Sequence, residues 1–241
     1  MEYILANPTG NITALVTSEA AQEERLSVVK EIFETEPSCE QVGFVDVTDE
    51  RRITLRMMGG EFCGNATLSA AAYCANKNGL GDRETIIVDS SGADEPVPVE
   101  LERITENYYE GRLEMPMPRI EGTVVHLDGI SHMIVPADAI SHEEAEAAIK
   151  GYADQFDALA FGIILYSEEE NSDSVEIEPL VYVKGSETMV WEHGCASGSI
   201  AAAYYRHTET GATKVNVYQP GGIITIDISD DKLYLTGKIQ L

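Results

Sequence analysis

The sequence predicts an α+β fold of two similar halves, each a mixed sheet wrapped around one central helix. Three observations predict it. A cysteine-led run of small residues occurs twice, as Gly59-Gly60-Glu61-Phe62-Cys63-Gly64-Asn65-Ala66-Thr67-Leu68-Ser69-Ala70-Ala71-Ala72-Tyr73 and as Trp191-Glu192-His193-Gly194-Cys195-Ala196-Ser197-Gly198-Ser199-Ile200-Ala201-Ala202-Ala203-Tyr204. The same order of elements surrounds each copy, a repeat of more than roughly 100 residues and so far longer than those of solenoids. Mixed sheets wrapped around a helix would bury such Ala-rich segments on all sides.

In chain order, residues 3–6 and 12–16 read as strands joined by Asn7-Pro8-Thr9-Gly10-Asn11, a turn by composition. Ser18 is placed to cap a helix over 19–35, with Leu26, Val29, Ile32 and Phe33 on one face. Strands follow over 42–47 and 53–57. The first cysteine helix then runs to about residue 78 and stops at Gly79-Leu80-Gly81. Strands over 85–89, 97–103 and 108–115 close the half. Pro116-Met117-Pro118 interrupts regular structure and divides the chain into 1–116 and 117–241, allowing for a last strand that returns to the first half. The order then repeats: strands over 123–127 and 131–135, and a helix over 142–153 capped by Ser141 with Ala145, Ala148, Ile149 and Tyr152 inward. Strands over 158–166 and 176–183 lead to the second cysteine helix, which runs to about residue 207. Strands over 214–219, 223–229 and 233–239 end the chain. Such a repeat suggests duplication and pseudo-two-fold symmetry, with a ligand cleft between the domains.

Composition narrows the function. The 241 residues suffice for one large domain or two ordinary ones, and 44% of them are hydrophobic, as in a soluble globular protein. No apolar run approaches the roughly 20 residues of a membrane span, and no basic region leads an apolar stretch at the N-terminus. A cytoplasmic protein is expected. The net charge is −26, from 42 acidic and 16 basic residues. Such a surface repels phosphate backbones and anionic lipids, which argues against nucleic-acid or membrane partners. The acidic residues are spread along the chain and read as a solvated face suited to a salty cytoplasm. Cys39, Cys63, Cys74 and Cys195 have no CxxC spacing and read as free thiols in a reducing compartment.

The chemistry lies in the two cysteines. Each follows a glycine-containing turn at the mouth of a helix, where free N–H groups and the positive dipole end stabilise an anion. A thiol there is expected to titrate below its ordinary value of roughly 8.5. Two facing thiols would make an acid/base pair. The alternative, for either copy alone, is a buried and inert cysteine; the matched pair favours the site. Cys74 reads as a packed core thiol, Cys39 as structural and Trp191 as a packing residue. His193 either tunes the Cys195 thiol or contacts substrate, or is a polar loop residue. His142-Glu143 lacks a second histidine at the spacing of a zinc motif, so no metal is expected. Gly221-Gly222 reads as a hairpin.

Cys63-Gly64-Asn65, Cys195 followed by Ser197-Gly198-Ser199, Gly10-Asn11 and Gln219-Pro220-Gly221-Gly222 together resemble the diaminopimelate epimerase superfamily over nearly the whole chain. The chain is similar most of all to the histidine racemases of staphylopine-type metallophore pathways, on Asn7-Pro8-Thr9-Gly10-Asn11, Cys39-Glu40-Gln41-Val42-Gly43-Phe44 and Glu61-Phe62-Cys63-Gly64-Asn65-Ala66-Thr67. The resemblance implies a diaminopimelate epimerase-like fold and a racemase that needs no pyridoxal phosphate or other cofactor. It also implies a homodimer whose partner is a small amino-acid substrate. Carried over, Cys63 and Cys195 are the catalytic acid/base pair. Gly64, Asn65, Ala196 and Ser197 bind the substrate carboxylate through their backbone, Asn11 and Gln41 line the site, and Glu192 holds the α-ammonium group. Diaminopimelate epimerases carry a Glu-Arg-Gly segment well before the second cysteine. Here Glu192-His193-Gly194 abuts Cys195 without the arginine, which argues against diaminopimelate, while the resemblance to the histidine racemases implies histidine as the substrate. Epimerisation or racemisation of another amino acid, diaminopimelate included, or amino-acid binding without catalysis, are the alternatives.

Overall fold

A computed structural model describes residues 1–168, 172–185 and 187–241. The first half of the chain runs β1 (Tyr3–Pro8), β2 (Thr13–Val16), α1 (Arg25–Thr35), β3 (Gln41–Asp49), β4 (Arg52–Met57), α2 (Gly64–Lys77), β5 (Arg83–Ser90), β6 (Val97–Thr105) and β7 (Tyr108–Met115). The second runs β8 (Arg119–Glu121), β9 (Val124–Leu127), β10 (Ile130–Pro136), α3 (His142–Ala153), β11 (Ala160–Glu168), β12 (Ser174–Val183), β13 (Thr188–Trp191), α4 (Ala196–Thr210), β14 (Lys214–Gln219), β15 (Gly222–Ile228) and β16 (Leu233–Gln240). These elements gather into two compact units, Met1–Glu114 with Thr236–Leu241, and Met115–Leu235.

In the first unit the strands follow chain order from β1 to β7, and β16 lies beside both β7 and β1, which closes a ring of eight strands. The pairs β2–β3 and β4–β5 are parallel, and each is joined by a helix, α1 and α2. A parallel pair needs such a crossover, whereas the antiparallel neighbours β1–β2, β3–β4, β5–β6 and β6–β7 need only turns. In the second unit the order is β8-β9-β10-β11-β12-β14-β15-β16, with β13 also on β12. Again two pairs are parallel, β10–β11 across α3 and β12–β14 across α4. The repeat legible in the sequence is therefore reproduced pairing by pairing.

Small residues explain why a helix fits inside each sheet. In α2, Gly64 to Ala72 without interruption are buried, and Cys74 and Ala75 follow. A methyl group added at Gly111 of β7 would meet the Leu68 side chain at 2.7 Å, so strand and helix close to contact only because the glycine has no side chain. In α4, Ala196 and Gly198 to Ala203 are buried, and Gly211 ends the helix in the left-handed conformation, φ 77°. The outer helices bury one face each. Val29 and Ile32 of α1 pack on Ala14, Val16, Val42 and Phe44, while Ala145, Ile149 and Ala153 of α3 pack on Phe161, Ile163 and Leu165.

Ser141 caps α3 in a full capping box with Glu144, as its sequence predicts. The expected helix over 19–35 starts only at Arg25, with no side-chain cap at Glu24. Ser18 is engaged elsewhere, because its hydroxyl accepts the Glu2 N–H at 3.2 Å. The short strands β8 and β13 have no counterpart in the expected elements. At three and four residues they carry too little periodicity to read, and they exist through their pairings with β9 and β12.

Candidate active site

In the first unit, Cys63 is the N-cap of α2, in extended backbone (φ −131°, ψ 113°). Its sulfur accepts the Ala66 N–H at 3.5 Å, and its thiol donates to Oε1 of Gln41 at 2.8 Å. Gln41 opens β3, and its own carbonyl accepts the Cys39 thiol at 3.0 Å. Asn11, wholly buried, donates from Nδ2 to the Glu40 carboxylate at 2.8 Å, so the residue beside Gln41 is tied to the segment before β2. The Asn7 side chain accepts the Gly10 N–H at 2.6 Å and shapes the turn that delivers Asn11; Thr9 and Gly10 there take φ of 52° and 93°. Asn65 is buried in the first turn of α2, and its carbonyl accepts the Ser69 hydroxyl at 2.9 Å. The structure thus brings Gln41 to Cys63 beside Gly64 and Asn65 of the same helix start, while Asn11 is tied to Glu40, the neighbour of Gln41. Two residues of this shell, Ser91 and Gly92, were not among the expected ones. The Ser91 hydroxyl donates to the Glu61 carbonyl at 2.9 Å, and a methyl group at Gly92 would lie 2.2 Å from the Phe62 nitrogen. Together they hold the loop that leads into Cys63.

In the second unit, Cys195 is the N-cap of α4 (φ −113°, ψ 109°) and only 3% exposed. Its sulfur accepts the Gly198 N–H at 3.2 Å and lies 3.5 Å from the Ser197 hydroxyl. Its backbone N–H donates to Oε1 of Gln219 at 2.7 Å. Nε2 of Gln219 donates to the Ser199 hydroxyl at 3.1 Å, which in turn donates to the Cys195 carbonyl at 2.7 Å. One glutamine side chain at the end of β14 therefore fixes the start of α4. Gln219 stood in a recognised motif but was not expected in the site. The Glu192 carboxylate lies close enough to the Cys195 thiol to raise its pKa. Glu192, Ala196 and Ser197 are thereby assembled at this second cysteine.

The expected lowering of the thiol pKa fails at Cys195. Burial pushes this thiol well above its ordinary value, the adjacent Glu192 carboxylate pushes it further, and the hydrogen bonds from Ser197 and Gly198 do not make up the difference. Desolvation and a like charge outweigh the helix N-terminus, and the group is held protonated. Another residue not singled out from sequence is His132 of β10. It is wholly buried, and its Nε2 lies 2.8 Å from the Ser197 hydroxyl. Burial alone lowers its pKa to about 3, so the ring is neutral.

The remaining candidates take structural places. Cys74 is fully buried within α2. Trp191 stacks on His142 at 4.1 Å and donates to Glu146 at 2.8 Å, a packing role. The exposed His193 accepts the Gly221 N–H on its carbonyl at 2.7 Å, which ties the cysteine loop to the β14–β15 hairpin. Among the described residues no cluster of His, Cys, Asp or Glu has the form of a metal site, and no helix is long and apolar enough to cross a membrane.

A family model described as "Histidine racemase CntK N-terminal domain" matches residues 1–240. A histidine racemase of Fusobacterium nucleatum subsp. nucleatum is 29% identical over 257 residues, covering 100% of this chain and 94% of its own. The histidine racemase of Staphylococcus aureus is 27% identical over 248 residues, covering 94% and 88%. Among solved structures, a hydroxyproline epimerase from Agrobacterium vitis with bound trans-4-hydroxy-L-proline superposes with a TM-score of 0.64 at 8% identity, over 99% of this chain and 88% of that one. That likeness concerns the fold.

Proposed function

The chain belongs to the histidine racemase family whose model spans it, and from that premise we propose that it is a cofactor-independent amino-acid racemase acting on histidine. In this reading residues 1–116 and 117–241 each contribute one thiol to a diaminopimelate epimerase-like site. The same resemblance makes a cytoplasmic homodimer in metallophore synthesis part of the proposal.

The observation that carries the reading is the unequal setting of two matched thiols. Cys63 is partly buried and its thiol donates to the neutral Gln41 amide, which turned to present Nε2 would donate to the thiolate instead, whereas Cys195 is buried and lies beside a carboxylate, Glu192. Racemisation through two bases starts from one thiolate and one thiol, because one face of Cα loses a proton and the other gains one. Cys195 has the setting of the thiol. Cys63, as thiolate, takes the Cα proton; Cys195 gives its proton to the opposite face and is left as thiolate. The return reaction uses the same groups in reverse. Negative charge that develops on the substrate carboxylate is met by the N–H groups of Gly64, Asn65, Ala196 and Ser197 at the two helix starts. Such donors take the place of the electron sink that pyridoxal phosphate supplies to other racemases.

The test is incubation with L-histidine in D2O without added cofactor, beside a panel of other L-amino acids. Deuterium at Cα together with loss of optical rotation for histidine is expected. Cys63→Ser and Cys195→Ser should each abolish racemisation while retaining substrate binding. Saturable binding without exchange would make the protein a binding module, and exchange confined to another amino acid would overturn the substrate. A serine variant that racemises within a few-fold of wild type would overturn the two-base mechanism.

A further inference from the structure

We infer that His132 is a positioning residue that turns the Ser197 hydroxyl toward the sulfur of Cys195; this rests on the reading of Cys195 as a catalytic thiol. His132 lies opposite Gly162 in the parallel pair of β10 with β11. A methyl group added at Gly162 would fall 2.1 Å from Nδ1 and 2.7 Å from Cε1, so the ring sits against the bare backbone with no space for a water between. Nδ1 has no hydrogen-bond partner and is fully buried. Nε2 has one, the Ser197 hydroxyl at 2.8 Å.

These contacts fix the tautomer. A neutral imidazole carries one N–H and one bare nitrogen. A proton on Nδ1 would be a buried donor without an acceptor, which is rarely tolerated, whereas an unpaired acceptor there costs less. The proton therefore resides on Nε2 and is donated to the oxygen of Ser197. With that oxygen accepting from the ring, the hydroxyl proton of Ser197 must point elsewhere. The Cys195 sulfur is 3.5 Å from it. Either atom could donate in that contact; with the Ser197 oxygen already accepting from the ring, and the Glu192 carboxylate close enough to raise the Cys195 pKa and to take the thiol proton, the serine is the donor. The chain of donation runs from His132 to Ser197 to Cys195, and Gly198 N–H adds a second donor at 3.2 Å.

Both donors favour the thiolate that Cys195 becomes when it gives up its proton, and they oppose the effects of burial and Glu192. His132 transfers no proton in this arrangement. Its part is to hold one hydroxyl in one direction, in a site where solvent would otherwise let it rotate.

Two measurements test this, and neither depends on turnover. In protein labelled with 15N in the histidine rings, the His132 shifts at neutral pH should report Nε2 protonated and Nδ1 bare. The opposite tautomer overturns the inference, whether or not the protein racemises histidine. Alkylation of Cys195, followed by peptide mass spectrometry across pH, should give an apparent pKa about one unit higher in both Ser197→Ala and His132→Phe, and no further rise in the double variant. His132→Gln, which keeps an N–H donor, should restore part of the shift. A Cys195 titration left unchanged by Ser197→Ala, or additive shifts in the double variant, overturns the relay; Ser197→Ala leaves the buried ring in place, so it serves if the Phe variant does not fold. On the enzyme reading, racemisation falls about tenfold in kcat in the same variants with KM little changed. Cys195 shifts without any racemase activity would leave the relay standing and sink the enzyme reading alone.

Discussion

At the residue scale, two thiols with similar local sequence logic end in different electrostatic settings, and the difference comes from burial and from how the fold turns a carboxylate toward one of them. The N-cap position of each cysteine was legible, because a cysteine after a glycine turn and before an alanine run can hardly sit elsewhere. The direction of the Cys195 titration was not, since it depends on complete burial and on where the Glu192 carboxylate points. His132 was illegible for the same reason: its partner lies 65 residues away, and the glycine that admits its ring is on another strand. Glu192→Gln tests the setting directly. The carboxylate raises the Cys195 pKa, so its removal should lower it, and the alkaline limb of the kcat/KM profile that reports loss of the thiol should move to lower pH. If Glu192 also holds the substrate ammonium, efficiency falls on the order of tenfold to a hundredfold, the worth of a charged hydrogen bond of roughly 1.5–3 kcal/mol. Steady-state kinetics over pH separate the two. An unmoved alkaline limb would detach Glu192 from the thiol, and an unchanged efficiency would detach it from the substrate.

At the element scale, the helices that carry the cysteines and the capped helix α3 could be read from pattern and caps, because those signals are local. The start of α1 and the short strands β8 and β13 could not, since packing and pairing decide them. The start of α4 belongs to a third kind, an element end fixed by a side chain from another element. Gln219 satisfies both the Cys195 N–H and, through Ser199, the Cys195 carbonyl, and is itself 8% exposed. Gln219→Ala leaves a buried N–H without its acceptor, which costs about 1–3 kcal/mol. Urea unfolding should show a loss of that size with the slope unchanged. Because the N–H belongs to the cysteine itself, racemisation should fall as well, in a variant that remains folded. A variant as stable as wild type would mean that another group takes over the contact.

At the scale of the whole molecule, the charge that gave no clue to the reaction has a physical consequence of its own. The chain carries −26, and its ion pairs, such as Arg51 with Glu84 and Arg52 with Asp89, lie at the surface with half-exposed arginines. Pairs at the surface contribute little each and are themselves screened by salt. Self-repulsion among 42 acidic groups set against 16 basic ones is screened too, and it acts over the whole surface. The two effects have opposite signs, so salt decides between them. Excess charge of one sign outnumbers the pairs, and raising ionic strength from about 0.01 M to about 1 M shortens the screening length from roughly 30 Å to roughly 3 Å. The melting temperature should therefore rise across that range in a neutral salt such as sodium chloride. Lowering the pH toward the isoelectric point of about 4.3 should relieve the same repulsion at low salt, until loss of the paired carboxylates reverses the gain. Glu84 and Asp89 mark that reversal: their pKa values are lowered by hydrogen bonds from Arg51 and Arg52, so their contribution is present above the ordinary carboxylate range and is lost as pH falls through the lowered values. A melting temperature that falls with salt at neutral pH would show instead that the surface pairs, and not the net charge, govern the stability of this fold.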